Sequence, residues 1–272
     1  MNDWPPVRVL EAAPRWLRKV KAIILREIGS RYTGDALGYL WAYLVPLAWV
    51  LAVYVIFLLL GRRIPIDTDI GSFICSGVVP YVCSRYAVNA ILRSRTAYRH
   101  ILSFPTVSPN LVGGAVFALE MVNSLLIFGF LLLLNYSVFG FFEMHDPVLA
   151  LWGYFLAVTS GGAFGYLMAS LSTIVPALSR ATPIFLRPLF YISGVFYTAN
   201  ELPPTLRDLF VWNPLFHGIE ILRNGLFIGY ESLFAMAWVP ITFILVCVAT
   251  GYIVQRRRLS GAPVEGDASW AI

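Results

Sequence analysis

VWNPLFHGIEILRNGLFIG, residues 211–229, is apolar enough for a membrane and too short to cross one. Asn213 is a good helix cap, and Pro214 fits the first helical position, where no backbone N–H is needed. A helix from Pro214 to Gly225 rises about 18 Å at 1.5 Å per residue, against a hydrocarbon core of about 30 Å. His217, Glu220 and Arg223 recur every three residues on one side of it. The rest of the chain must explain a short, half-charged, apolar helix.

The 272 residues are 58% hydrophobic and only 13% charged. Mean hydropathy is +0.73. A soluble domain of this size carries roughly 25% charged residues. The composition therefore predicts an all-α integral membrane protein with a single transmembrane domain over 1–272. Residues 1–33 form a cytoplasmic arm, 34–254 a six-span bundle and 255–272 a cytoplasmic tail. Apolar runs predict spans near 37–60, 70–92, 111–134, 148–174, 183–199 and 233–254.

Orientation follows from the basic residues. Most precede the first span, or lie in loop 93–110 (Arg93, Arg95, Arg99), at Arg180, or in the tail (Arg256, Arg257, Arg258). The opposite side carries Arg62, Arg63, Arg207 and Arg223. The excess places both termini in the cytoplasm. Segment 200–232 then lies outside. Pro203, Pro204 and Pro214 break it, which predicts two short helices, 204–212 and 214–226, that dip into the outer leaflet and return. Such backbone is tolerated where protein or a water-filled cavity covers it. His217, Glu220 and Arg223 would then face water or a pore.

On the cytoplasmic side, Trp16–Tyr32 is basic and apolar at helical spacing. Trp16, Val20, Ile23, Ile24 and Ile28 make one face of an interfacial amphipathic helix, with Lys19, Arg26 and Glu27 off it. It is either an anchor on anionic lipid or a docking surface for a partner. Loop 93–110 offers the apolar Ile101, Leu102 and Phe104 before Pro105. They need a groove, from a tight hairpin or from a partner protein.

Charges within spans are costly. Arg85 and Glu120 lie at similar depths on neighbouring spans, so they are expected to pair. Arg187 has two readings, snorkelling or attracting an acidic polymer. Tyr39, Tyr43 and Tyr54 lie near one face of the first span, and Arg187, Tyr191 and Tyr197 share a side of the fifth. Packing and interface belts explain aromatics in spans. A track of rings that stack weakly on sliding sugars is the functional alternative. His217 with Glu220 falls short of three ligands for a catalytic zinc, and an intrahelical Glu220–Arg223 pair at i, i+3 is the plainer alternative to a gate. Cys75, Cys83 and Cys247 all sit in apolar runs without CxxC spacing and read as small core residues. No basic stretch interleaved with stacking aromatics points to nucleic acid. The chain has no GxxxxGK[ST], HExxH or GxSxG motif, so an energy source must come from another chain.

The entry stretch LREIGSRYTGDALGYLWAYLVPLAW (Leu25–Trp49) resembles that of permease subunits of type 2 ABC exporters, in the branch that exports capsular polysaccharide and O-antigen. Arg26, Glu27, Arg31, Gly38, Trp41 and Pro46 carry the likeness. Asn213, Pro214, His217 and Glu220 resemble the same family's outer loop. The resemblance implies a homodimeric channel joined to two copies of a cytoplasmic ATPase, which binds the ATP and Mg; none is bound by this chain. It further implies a bacterial inner-membrane location, a polysaccharide or glycolipid substrate and periplasmic export components. In that frame Arg26, Glu27, Arg31, Arg99, Leu102 and Phe104 would couple to the ATPase. Tyr39, Tyr43, Tyr54, Arg187, Tyr191 and Tyr197 would line the substrate path. Asn213, Pro214, His217, Glu220 and Arg223 would form an outer gate. The rivals are the same architecture exporting a lipid, drug or teichoic-acid-like polymer, a membrane-embedded transferase, which needs clustered acids or histidines, and a secondary transporter, which needs an internal repeat.

Overall fold

The computed structural model describes residues 14–32, 38, 40–102, 107–139 and 144–261, and among them it is helical without strands. The helices are α1 (Arg15–Tyr32), α2 (Trp41–Leu60), α3 (Ile70–Ala97), α4 (Arg99–Leu102), α5 (Pro109–Phe139), α6 (Pro147–Leu171), α7 (Ala177–Ile192), α8 (Pro204–Phe210), α9 (Pro214–Leu226) and α10 (Trp238–Gly261). A single 3-10 turn, Ala199–Glu201, joins α7 to α8.

Among the described residues, four helices are long and apolar enough to cross a membrane: α2, α5, α6 and α10. The runs expected at 70–92 and 183–199 become α3 and α7. α3 is long, but Asp69 caps it, and its serines, Asn89 and arginines dilute its hydropathy. α7 has only 16 residues and carries Pro183 and Pro188 inside it. The fifth segment begins six residues earlier than expected and stops at Ile192. Gly194 follows with φ +77°, a conformation that ends the helix in a sharp turn.

α3 and α6 form the centre of the bundle. α3 buries residues on nearly every side. The main core runs from Val53 and Phe57 on α2 through Phe73, Val78 and Val82 on α3 to Tyr154 and Ala157 on α6 and Ile219 and Leu222 on α9. Polar side chains fix the register between helices. Asn135 on α5 donates to Ser72 Oγ at 2.8 Å and to Asp69 Oδ2 at 3.2 Å. Tyr154 donates to Ser124 O at 2.7 Å. Cys75, Cys83 and Cys247 are free and buried, as small core residues are.

Candidate functional site

The opening stretch folds as its local chemistry dictates. Asn213 Oδ1 accepts from the N–H groups of Leu215 and Phe216 at 3.1 and 3.3 Å, and Pro214 is the first helical residue. The Asn213 amide also donates to Ile192 O at 2.9 Å and Ser193 Oγ at 3.2 Å. The start of α9 is thereby tied to the end of α7. At its other end, the N–H of Asp146 donates to Gly225 O at 2.8 Å.

α9 runs antiparallel along α6 through small residues. Gly218 lies on Ala157, Leu222 on Gly153, and Gly225 on Ala150. A Cβ on Gly218 would stand 2.9 Å from Ala157 Cα, so the backbones touch.

The polar side of α9 does not face water. His217, Glu220 and Arg223 are all 0% exposed, which corrects the expected outward orientation. The Arg223 guanidinium donates to Glu220 Oε1 at 3.2 Å, Tyr197 O at 2.8 Å and Ser76 Oγ at 3.1 Å. It lies 4.4 Å from the centroid of the Phe73 ring. Glu220 Oε2 accepts from the hydroxyls of Tyr230 and Ser232, both at 2.6 Å, and from Ala199 N–H at 3.2 Å. Burial first, and then the Glu220 carboxylate, push the Tyr230 hydroxyl well above its ordinary pKa, so it stays a donor. His217 Nε2 lies 2.7 Å from Val211 O, and Nδ1 lies 3.2 Å from Met236 N. A carbonyl only accepts and an N–H only donates, so the ring is neutral with its proton on Nε2. The three residues read as a gate surface are thus a buried latch. They bind 195–201 on one side, 230–236 on the other, and α3 beneath.

The Arg85–Glu120 pairing also fails: no ion pair joins them among the described residues. Arg85 lies over Trp49, 5.7 Å from its ring centroid. Glu120 instead lines a cavity of about 210 Å³ with Gly38, Tyr86, Arg93 and Asn123. Similar depth on two helices does not fix their rotation.

The expected sugar track is divided. Tyr43 packs edge-on against Phe130, with centroids 5.3 Å apart. Tyr54 lines a cavity with Leu47, Cys75 and Asn135. Tyr197 packs on Phe210 and Phe216, and its hydroxyl donates to Tyr191 O at 3.0 Å. Tyr191 and Arg187 are exposed on α7. Tyr39 lies outside the described residues.

At the C-terminal end of α3, Tyr98 is a functional candidate that sequence reasoning missed. It is 2% exposed. Its hydroxyl donates to Glu27 Oε2 at 2.5 Å and approaches Ile23 O at 3.4 Å, and the Arg26 guanidinium lies 5.2 Å from its ring centroid. Its carbonyl accepts from Ile101 and Leu102 N–H, so Tyr98 joins α3, α4 and α1. Ile23, Val20 and Ile24 of α1 pack against Ile101, Leu102 and Val112, whereas Trp16 and Ile28 are exposed. The hairpin itself therefore covers much of the apolar loop. Arg99 opens α4. The side chain of Arg31 and all of Phe104 lie outside the described residues. Tyr98→Phe should loosen α1 from α4 without removing ring packing. Faster hydrogen exchange in α1 than in wild type checks this, and unchanged exchange counts against the joint.

Four apolar helices of spanning length, packed as one helical bundle without a metal-binding cluster among the described residues, fit a multi-pass membrane protein. The chain belongs to the ABC-2 type transporter family, which matches residues 18–227. It is 26% identical over 243 residues to the polysialic acid transport protein KpsM of Escherichia coli, covering 88% of this chain and 93% of that protein. It is 22% identical over 229 residues to the capsule polysaccharide export inner-membrane protein BexB of Haemophilus influenzae, covering 79% and 83%. It is 22% identical over 271 residues to the capsule polysaccharide export inner-membrane protein CtrC of Neisseria meningitidis serogroup A, covering 96% and 98%.

Proposed function

We propose that this chain is the membrane subunit of an ATP-driven exporter that moves capsular or related polysaccharide across the bacterial inner membrane. The near full-length similarity to KpsM and CtrC is the observation that carries the reading. The chain itself does no chemistry. A separate cytoplasmic ATPase, in two copies, binds ATP and Mg and pushes on α4 and α1. Two copies of this chain enclose the path, with α3 and α7 supplying the second and fifth of six spans and both termini in the cytoplasm. α8 and α9 dip into the outer leaflet and return. They move together as an outer closure, because the Glu220–Arg223 latch makes them one body with 195–201 and 230–236. Periplasmic export components receive the polymer.

Cells lacking this chain should keep synthesising polymer, retain it inside and show none at the surface. Unchanged surface polymer in such cells would remove the reading. Orientation is tested with single cysteines in a background free of Cys75, Cys83 and Cys247. Glu231→Cys, on the exposed outer segment, should label with an impermeant thiol reagent added outside, and His100→Cys only after the membrane is opened. Ile219→Cys should stay unlabelled in the resting protein, since Ile219 is 0% exposed and carries no charge to strand. Labelling of His100→Cys from outside means the topology is inverted.

A further inference from the structure

Beneath the start of α9 lies a cavity of about 360 Å³ enclosed by α3, α6, α7 and α10. Its wall is mostly apolar, with Val88, Phe164, Leu186, Leu189 and Phe243 among the lining residues. Arg85 is the one charged side chain among the described residues that line it. No carboxylate faces it there. A guanidinium within a span costs about 2.5–3.5 kcal/mol on insertion scales, so an arginine left in an apolar chamber calls for an anion. A ring 5.7 Å away offsets part of that cost but carries no charge.

A second electropositive feature opens onto the same space. Asn213, Pro214 and Leu215 line the cavity, so the positive end of the α9 dipole is directed at it. The first free N–H groups of α9 are already capped by Asn213, and the dipole acts through space. The chamber is therefore positive at two points and oily elsewhere. A free hydrated anion suits the positive points and not the walls. A sugar suits the apolar walls poorly, since its hydroxyls would lack partners there. An anion carried on hydrocarbon chains suits both. The rim is open to the surroundings at Ile192 and Trp212, which are exposed and apolar, so a guest enters from the bilayer rather than from water.

We propose that this chamber holds the anionic head of a phospholipid drawn from the surrounding bilayer, with Arg85 as the headgroup ligand and the α7 and α10 walls against its chains. The site is independent of the export reading, since it requires neither ATP nor polymer.

The test is native mass spectrometry of the purified full-length protein, with phosphatidylglycerol, phosphatidylcholine or inorganic phosphate added. Wild type should retain phosphatidylglycerol about tenfold better than phosphatidylcholine, equivalent to about 1.4 kcal/mol. Arg85→Gln should abolish that preference, and Arg85→Lys should keep part of it. Leu189→Trp fills the chamber while leaving the charge, and should reduce retention of both lipids. Monodisperse elution of each variant establishes that it is folded. Equal phosphatidylglycerol retention by Arg85→Gln overturns the proposal. So does equal binding of both lipids to wild type, which would mark a plain apolar crevice. Displacement of the lipid by millimolar phosphate alone would mark a free-anion site and overturn it as well.

Discussion

Glu220→Ala and Arg223→Ala each cost the folded protein about 3–5 kcal/mol, because each strands a buried charge. The remaining partner has no route to water, since both residues are 0% exposed. Arg223→Ala leaves the Glu220 carboxylate with Tyr230, Ser232 and Ala199 as donors but no countercharge. Glu220→Ala leaves a guanidinium against Phe73, Tyr197 O and Ser76 Oγ, again without a countercharge. Arg223→Lys should not rescue, because a single ammonium cannot reach Ser76, Tyr197 and Glu220 from one planar fork. The double replacement Glu220→Leu with Arg223→Met should cost less than the sum of the singles. Thermal unfolding in detergent, followed by intrinsic fluorescence, reads the difference. The Arg62–Glu201 pair provides the contrast. It is 3.7 Å long and its side chains are 37% and 35% exposed, so breaking it should cost about 0–1 kcal/mol. Equal costs for the two pairs would show that the latch is not desolvated, and the inward orientation of α9 would be wrong.

That orientation is also where the sequence stopped being legible. Asn213, Pro214 and the i, i+3 spacing of the polar residues fix the helix and its start from local chemistry alone. They do not fix which way its polar side turns. The partners that turn it inward are Tyr197 and Tyr230 in flanking loops and Ser76, 147 residues away in sequence. A helix with three polar groups on one side reads as half exposed until those partners are known. The same limit explains Arg85 and Glu120, whose depth followed from position while their rotation did not. Tyr98 escaped notice because a tyrosine after a basic helix end carries no motif; only the fold sets its hydroxyl beside Glu27. The apolar runs of α2, α5, α6 and α10 were legible because lipid demands them. α7 was misplaced by several residues: the apolar run pointed to 183–199, whereas the helix takes in Ala177–Ile192 with Pro183 and Pro188 inside it.

The latch fixes α9 from its polar side, and glycines fix it from the other, where adding one carbon should be costly. A Cβ on Gly153 would strike the backbone N of Leu222 and stand 2.8 Å from Gly218 O. A Cβ on Gly225 would strike the backbone N of Ala150 and stand 2.8 Å from Asp146 O. The colliding atoms are backbone within two packed helices, so no flexible side chain can swing aside. The helices must separate, and overpacking of this kind costs about 1–3 kcal/mol, sometimes more. Separation would also stretch the Asp146 N–H bond to Gly225 O, now 2.8 Å, and the latch beyond it. Gly153→Ala and Gly225→Ala should therefore destabilise on unfolding, and Gly153→Val should prevent accumulation of folded protein. Gly114 and Gly129 of α5 are the controls, because a Cβ there meets nothing within 4 Å. Replacing either with Ala removes only the helix penalty of glycine and should raise stability by roughly 0.5–1 kcal/mol. The two pairs share the same chemical change, so the sign of the effect reports the spacing of α6 and α9. If all four alanine variants shift stability alike, the close approach of α9 to α6 is absent, and α9 is held by its latch alone.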